Sequence, residues 1–155
     1  MAGRRVFLVV VDDSPEMAVA LRYASRRAAA TGGRVALLRV IEPAEFQQFA
    51  AIGALMRDEA RAEAEMLLTR FAAEVEAVAG DVPTLYVREG APREELLRLI
   101  ADEPSISQLV LAADPSPKGP GPLVTALTGR AVGRLRLPVT IVPGSLSDRQ
   151  IDLIS

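Results

Sequence analysis

The loop Pro115-Ser116-Pro117-Lys118-Gly119-Pro120-Gly121-Pro122 follows an apolar run, Leu109-Val110-Leu111-Ala112-Ala113, and precedes a helical pattern that begins near Leu123. A strand, a glycine-bearing loop and a helix start form a common setting for an anion. Glycine lets backbone approach a phosphate, and a helix start supplies free N–H groups. Lys118 is the single lysine in the chain. Prolines 115, 117, 120 and 122 carry no N–H, which leaves Ser116, Lys118, Gly119 and Gly121 as backbone donors. Ten residues beyond Gly119 stands Gly129, followed by Arg130, which is able to make a charge-assisted contact to an anion. A second polar group, Asp12-Asp13-Ser14, closes the apolar run Val6–Val11. Its carboxylates can hydrogen-bond a base or a ribose, or can cap the helix that follows together with Ser14.

Other chemistry is excluded by composition. The chain has no histidine and no cysteine. Imidazole acid–base catalysis, thiol chemistry, disulfides and Cys/His metal sites therefore do not arise. No Gly-x4-Gly-Lys-[Ser/Thr] motif is present and no general base stands out, so dedicated catalysis is not expected, at most slow ATP hydrolysis. Net charge is −2, which gives no basic field for nucleic acid. Arg22, Arg26, Arg57, Arg61 and Arg70 fall mostly near acidic residues and read as solvated helix faces. No apolar stretch is long enough to span a membrane, and the start, MAGRRVFLVVV, reads as a buried strand rather than a signal peptide. A cytoplasmic location is the expectation.

The elements that must position these groups alternate between two periods. Strands are expected at 6–11, 34–41, 83–88, 107–113 and 138–143, the first a continuous apolar and β-branched run. The first helix opens with Ser14 as N-cap and Pro15 in the first turn, and ends at Gly32-Gly33. The second runs from about Ala54 to Ala79 on a stripe of Ala64, Leu67, Leu68, Phe71, Val75 and Val78. Residues 44–53 before it are ambiguous, a short helical or mobile segment. The third turns in from Gly90-Ala91-Pro92 and faces Leu96, Leu97 and Ile100 inward. The fourth spans Leu123 to Leu135, with Gly129 inside it as a packing or functional glycine. Ser147-Asp148-Arg149-Gln150 is a capping box that opens a final turn or two in a short tail from about 144. A single domain over 1–155 is expected, a three-layer α/β sandwich whose five-stranded parallel sheet carries helices on both faces. With an assumed order of 3-2-1-4-5, the loops after strands 1 and 4 face each other across one crevice.

These residues resemble the universal stress proteins. Val9-Val10-Val11-Asp12-Asp13-Ser14 is similar to the family's V-D-x-S start. Leu37–Pro43 looks like its second strand, with Arg39 where histidine is common and Glu42 or Asp13 within reach as ion-pair partners. Val87-Arg88-Glu89-Gly90-Ala91-Pro92 resembles its V-x-x-G-x-P turn, and Leu137–Pro143 its final strand. Nucleotide-binding members carry G-x2-G-x9-G-[S/T] after strand 4. Gly119 and Gly129 fit its second half, whereas Ser116 and Arg130 replace the first glycine and the hydroxyl. The resemblance implies a stress-response or regulatory protein that binds ATP with Mg²⁺, or another adenine nucleotide, across Asp12, Val40, Gly119, Gly129 and Arg130, with Ser116 and Lys118 in the loop. It also implies a homodimer through strand 5, Pro138–Pro143, which would bury an open sheet edge. The alternative is a nucleotide-free homodimeric interaction protein whose degenerate loop only closes the crevice.

Overall fold

The computed structural model describes residues 3–43 and 50–155. The ambiguous stretch 44–49 lies outside the described residues. The elements in chain order are β1 (Val6–Val10), α1 (Met17–Thr31), β2 (Arg34–Ile41), α2 (Ala50–Ala79), β3 (Thr84–Glu89), α3 (Pro92–Asp102), β4 (Ile106–Ala113), α4 (Pro122–Thr128), a 3₁₀ turn (Arg130–Arg134), β5 (Val139–Pro143) and α5 (Asp148–Ile154). The sheet order is β3-β2-β1-β4-β5, with every pairing parallel. This is the three-layer α/β arrangement expected from the sequence, and it leaves β3 and β5 as edges.

Side-chain alternation along the central strands sorts the core into two halves. Phe7, Val9, Val11, Val35, Leu37 and Val110 pack against Met17, Ala20 and Leu21 of α1, Leu68, Phe71 and Val75 of α2, and Ile151 of α5. Leu8, Ala36, Leu38, Leu109 and Leu111 face the other way, toward Leu96, Leu99 and Ile100 of α3 and Val124 and Leu127 of α4. Each fully buried Leu or Phe contributes about 1.5–3 kcal/mol through area removed from water. On α3 the deepest residues are Leu96 and Leu99, while Leu97 is half-buried, one step from the expected stripe.

One irregularity sits where β1 meets β4. The register shifts between Val6 and Phe7. There the Ser107 hydroxyl accepts the Val6 N–H at 2.9 Å and donates to the Val6 carbonyl at 3.1 Å. One side chain thus replaces the missing ladder bonds.

Two helix expectations need correction. Ser14 does not cap α1. Glu16, in helical backbone with no side-chain cap bond, precedes Met17, and the first turn is closed by the Met17 and Val19 N–H groups donating to the Ser14 and Glu16 carbonyls. The expected fourth helix is broken. α4 ends at Thr128, Gly129 is non-helical (φ −87°, ψ −140°), and the chain resumes as a 3₁₀ turn. Gly129 is exposed and is not a packing glycine inside a helix. Buried Leu127 and Ala131 lie on either side, so the apolar pattern runs through the break.

The segment after β5 is docked. The Gln150 N–H donates to Ser147 Oγ and the Ser147 N–H to Gln150 Oε1, the expected capping box. Ile151 is fully buried, and Asp152 accepts two bonds from Arg22 at 2.8 Å each. No helix among the described residues is long and apolar enough to cross a membrane.

Candidate functional site

A crevice of about 1000 Å³ opens at the carboxyl ends of β1, β2 and β4. The location follows from topology, because the loop after β1 leads to α1 on one face of the sheet and the loop after β4 leads to α4 on the other, so the two neighbouring loops part there. Its floor is Val10, Val11, Arg39, Val40, Leu111 and Ala112. The α2 face contributes Met56, Ala60, Ala64 and Leu67, and the start of α3 contributes Pro92 to Glu94. Pro120 to Val124 form the facing wall. The apolar residues of floor and wall suit a flat ring system, with Arg39 the one charged group of the floor.

The rim is acidic. Among the described residues, eight carboxylate side chains line the crevice (Asp12, Asp13, Glu16, Glu42, Glu59, Glu63, Glu94 and Asp114) against two guanidiniums, Arg39 and Arg93. The described residues contain no group of three or more carboxylates arranged to hold a metal ion. Arg39 forms no ion pair with Glu42 or Asp13, contrary to the expected pairing; it is half-buried in the crevice floor.

Asp12 closes a local turn. Its Oδ1 accepts the Ser14 N–H at 2.9 Å and also the Ser14 hydroxyl. This Asx-type turn, rather than a helix cap, is what Asp12 supplies on the protein side. Oδ2 has no protein donor among the described residues, which leaves an acceptor at the crevice for a ligand hydroxyl or amine.

The Pro/Gly loop is bonded to itself. The Ser116 N–H donates to Asp114 Oδ1 at 2.8 Å, the Lys118 N–H points to Ser116 Oγ at 3.4 Å, and the Gly119 N–H donates to the Ser116 carbonyl at 3.2 Å. The Asp114 N–H in turn donates to the Pro120 carbonyl at 3.2 Å. Gly119 and Gly121 adopt φ of 97° and 106°, a region that favours glycine and lets the chain fold back on itself. Of the four backbone donors that the prolines leave, only the Gly121 N–H has no partner in the protein among the described residues. The Ser116 bonds hold the Asp114 carboxyl below the ordinary carboxylate range, helped by the Lys118 charge and opposed by burial.

Asp12 and Val40 therefore meet in the crevice, while Ser116, Lys118, Gly119, Gly129 and Arg130 are not among its lining residues. Lys118 and Arg130 are exposed and form no ion pair among the described residues. Sequence reasoning missed Asp114, whereas Gly121 was already named as a backbone donor of the loop. The available signal was Asp114 two residues before Ser116, the spacing of an Asx turn. Glu59, Glu63 and Glu94 carried no local signal, because they reach the rim from α2 and α3 only through tertiary packing.

Residues 3–143 match the family model described as "Universal stress protein family". A search of curated proteins gives no match. Among solved structures, the chain is similar to universal stress protein UspA from Lactobacillus plantarum, with a TM-score of 0.76 and 18% identity over 91% of this chain and 99% of that one. A universal stress protein in complex with cAMP has a TM-score of 0.64 and 19% identity, covering 93% of this chain and all of that one (100%). One from Archaeoglobus fulgidus in complex with dAMP has a TM-score of 0.59 and 18% identity, covering 91% and 98%. At these identities the structures speak for the fold. With the family model spanning nearly the whole length, the chain belongs to the universal stress protein family.

Proposed function

We propose that this chain is a regulatory protein that binds an adenine nucleotide in the crevice, without a dedicated catalytic step. The observation that carries this reading is the crevice itself. An apolar floor at Val40 and Leu111 suits a base, and the free Asp12 oxygen suits a base amine or a ribose hydroxyl. Similarly folded family members in complex with cAMP and dAMP support the ligand class. ATP with Mg²⁺ falls within that class, as do adenosine and its monophosphates.

The test is the thermal midpoint of the purified protein with adenosine, AMP and ATP, with and without Mg²⁺, at matched ionic strength. A ligand that binds only the native state raises stability by RT ln(1 + [L]/Kd). A saturable rise with at least one adenine ligand supports the reading. No rise with any of them at millimolar concentration favours the nucleotide-free homodimeric protein instead.

The homodimer would form through β5. Among the described residues that strand pairs only with β4, and Ile141 on it is 37% exposed, so a second copy would cover both an open edge and an apolar side chain.

A further inference from the structure

We infer that Asp114 and the loop it holds make the crevice select adenosine or its monophosphate over ATP. This rests on the adenine-nucleotide reading above and names the ligand within it. Two independent features converge on it, one of hydrogen bonding and one of charge.

The first is the loss of donors. A polyphosphate chain needs several N–H groups or cations converging on its oxygens. Here four prolines remove donors outright, and the Ser116, Lys118 and Gly119 N–H groups are turned onto Asp114 and Ser116. To present them to a ligand, the loop would have to break those bonds and leave Asp114 without its partners. Lys118 and Arg130, the cations nearest in sequence, do not line the crevice.

The second is the field. The rim carries eight carboxylates against two guanidiniums among the described residues, and Asp114 is one of them, at the start of the loop after β4. Each added phosphate brings further negative charge toward like charge, which is unfavourable in a partly desolvated crevice. Magnesium would reduce the charge of ATP. It would not restore the backbone donors that the loop has turned onto Asp114 and Ser116. An uncharged nucleoside, or a single phosphate directed out of the mouth, avoids both difficulties and keeps the base and ribose contacts.

The test is calorimetric titration of the full chain with adenosine, AMP, ATP and Mg²⁺–ATP at fixed ionic strength, repeated with Asp114→Ala and Asp114→Asn. The expected result for the natural chain is AMP binding at least about tenfold tighter than ATP in either form. Asp114→Ala removes both charge and lock and should narrow that ratio at least about threefold, mainly by strengthening ATP. Asp114→Asn keeps an acceptor for the Ser116 N–H and removes only the charge. Narrowing with Asn as well assigns the effect to repulsion, and narrowing with Ala alone assigns it to the lock; either result supports the inference. ATP binding as tightly as AMP to the natural chain overturns the selectivity and leaves the adenine site standing. A ratio unmoved in both variants overturns the role of Asp114. Absence of binding by every adenine ligand overturns the inference together with the reading beneath it. Circular dichroism of the variants separates misfolding from altered affinity, and the ratio in the natural chain remains decisive if Asp114→Ala does not fold.

Discussion

Asp114 accepts the Ser116 backbone N–H at 2.8 Å, so the loop after β4 closes on its own chain before any ligand is considered. This single bond couples the crevice rim to the geometry of the Pro/Gly loop. Neighbouring contacts reinforce it. The Gly144 N–H donates to the Ala113 carbonyl at 2.9 Å, immediately before Asp114, and the Gly144 backbone packs against Pro115 and Glu16.

Gly144→Ala should therefore disturb the loop. A Cβ there would lie 2.7 Å from the Ala113 carbonyl oxygen and 3.1 Å from Pro115 Cδ, and would also meet Glu16 Cβ. Backbone cannot yield as a flexible side chain can, so a loss of about 1–3 kcal/mol is expected. Urea unfolding of the variant measures it, and an unchanged midpoint would mean that the β5 end is free to move away.

Ser147→Ala should cost about 1 kcal/mol by removing one half of the capping box. The loss should appear in global unfolding, because buried Ile151 and the Asp152–Arg22 bonds tie α5 to α1. A variant in which α5 alone frays, with amide exchange fast there and unchanged elsewhere, would show that this helix is a separate unit.

Stability should fall in acid through identifiable groups. Hydrogen bonding to Arg22 holds the Asp152 carboxyl below its ordinary range, and bonding to Arg4 does the same for Asp81. A depressed native pKa means that the unfolded chain binds more protons in the window just below the ordinary carboxyl value of about 4. The stabilisation is present above that value and is lost as pH falls through the lower native pKa. The melting temperature should drop over this window, and Asp152→Asn should flatten the drop. Equal slopes for the two proteins would remove Asp152 from the account.

If β5 pairs with its twin, Ile141→Lys should shift sedimentation from dimer to monomer while far-ultraviolet circular dichroism stays constant. A dimer that survives this change would have to form elsewhere.

The central strand was legible because Val6–Val10 is an uninterrupted apolar run, as suits a strand covered on both faces. Val6–Val10 alternates Phe7 and Val9 to one half of the core and Leu8 to the other, as such a strand must. The capping box was legible because its chemistry is local. The α4 break was not, since Leu127 and Ala131 keep the helical spacing across Gly129 and the periodicity carries no sign of the turn. Asp12 could be placed at the crevice from a strand end, and Val40 followed from the family resemblance. The acidic rim could not, because Glu59, Glu63 and Glu94 come from two helices whose relative placement is decided by packing.

The most direct test of nucleotide binding in the crevice is amide chemical-shift mapping of the labelled protein titrated with AMP. The expected result is saturable shifts concentrated at residues 10–13, 39–42 and 121–124, the backbone that lines the crevice. Shifts absent at millimolar AMP, or gathered on another face of the molecule, would contradict it.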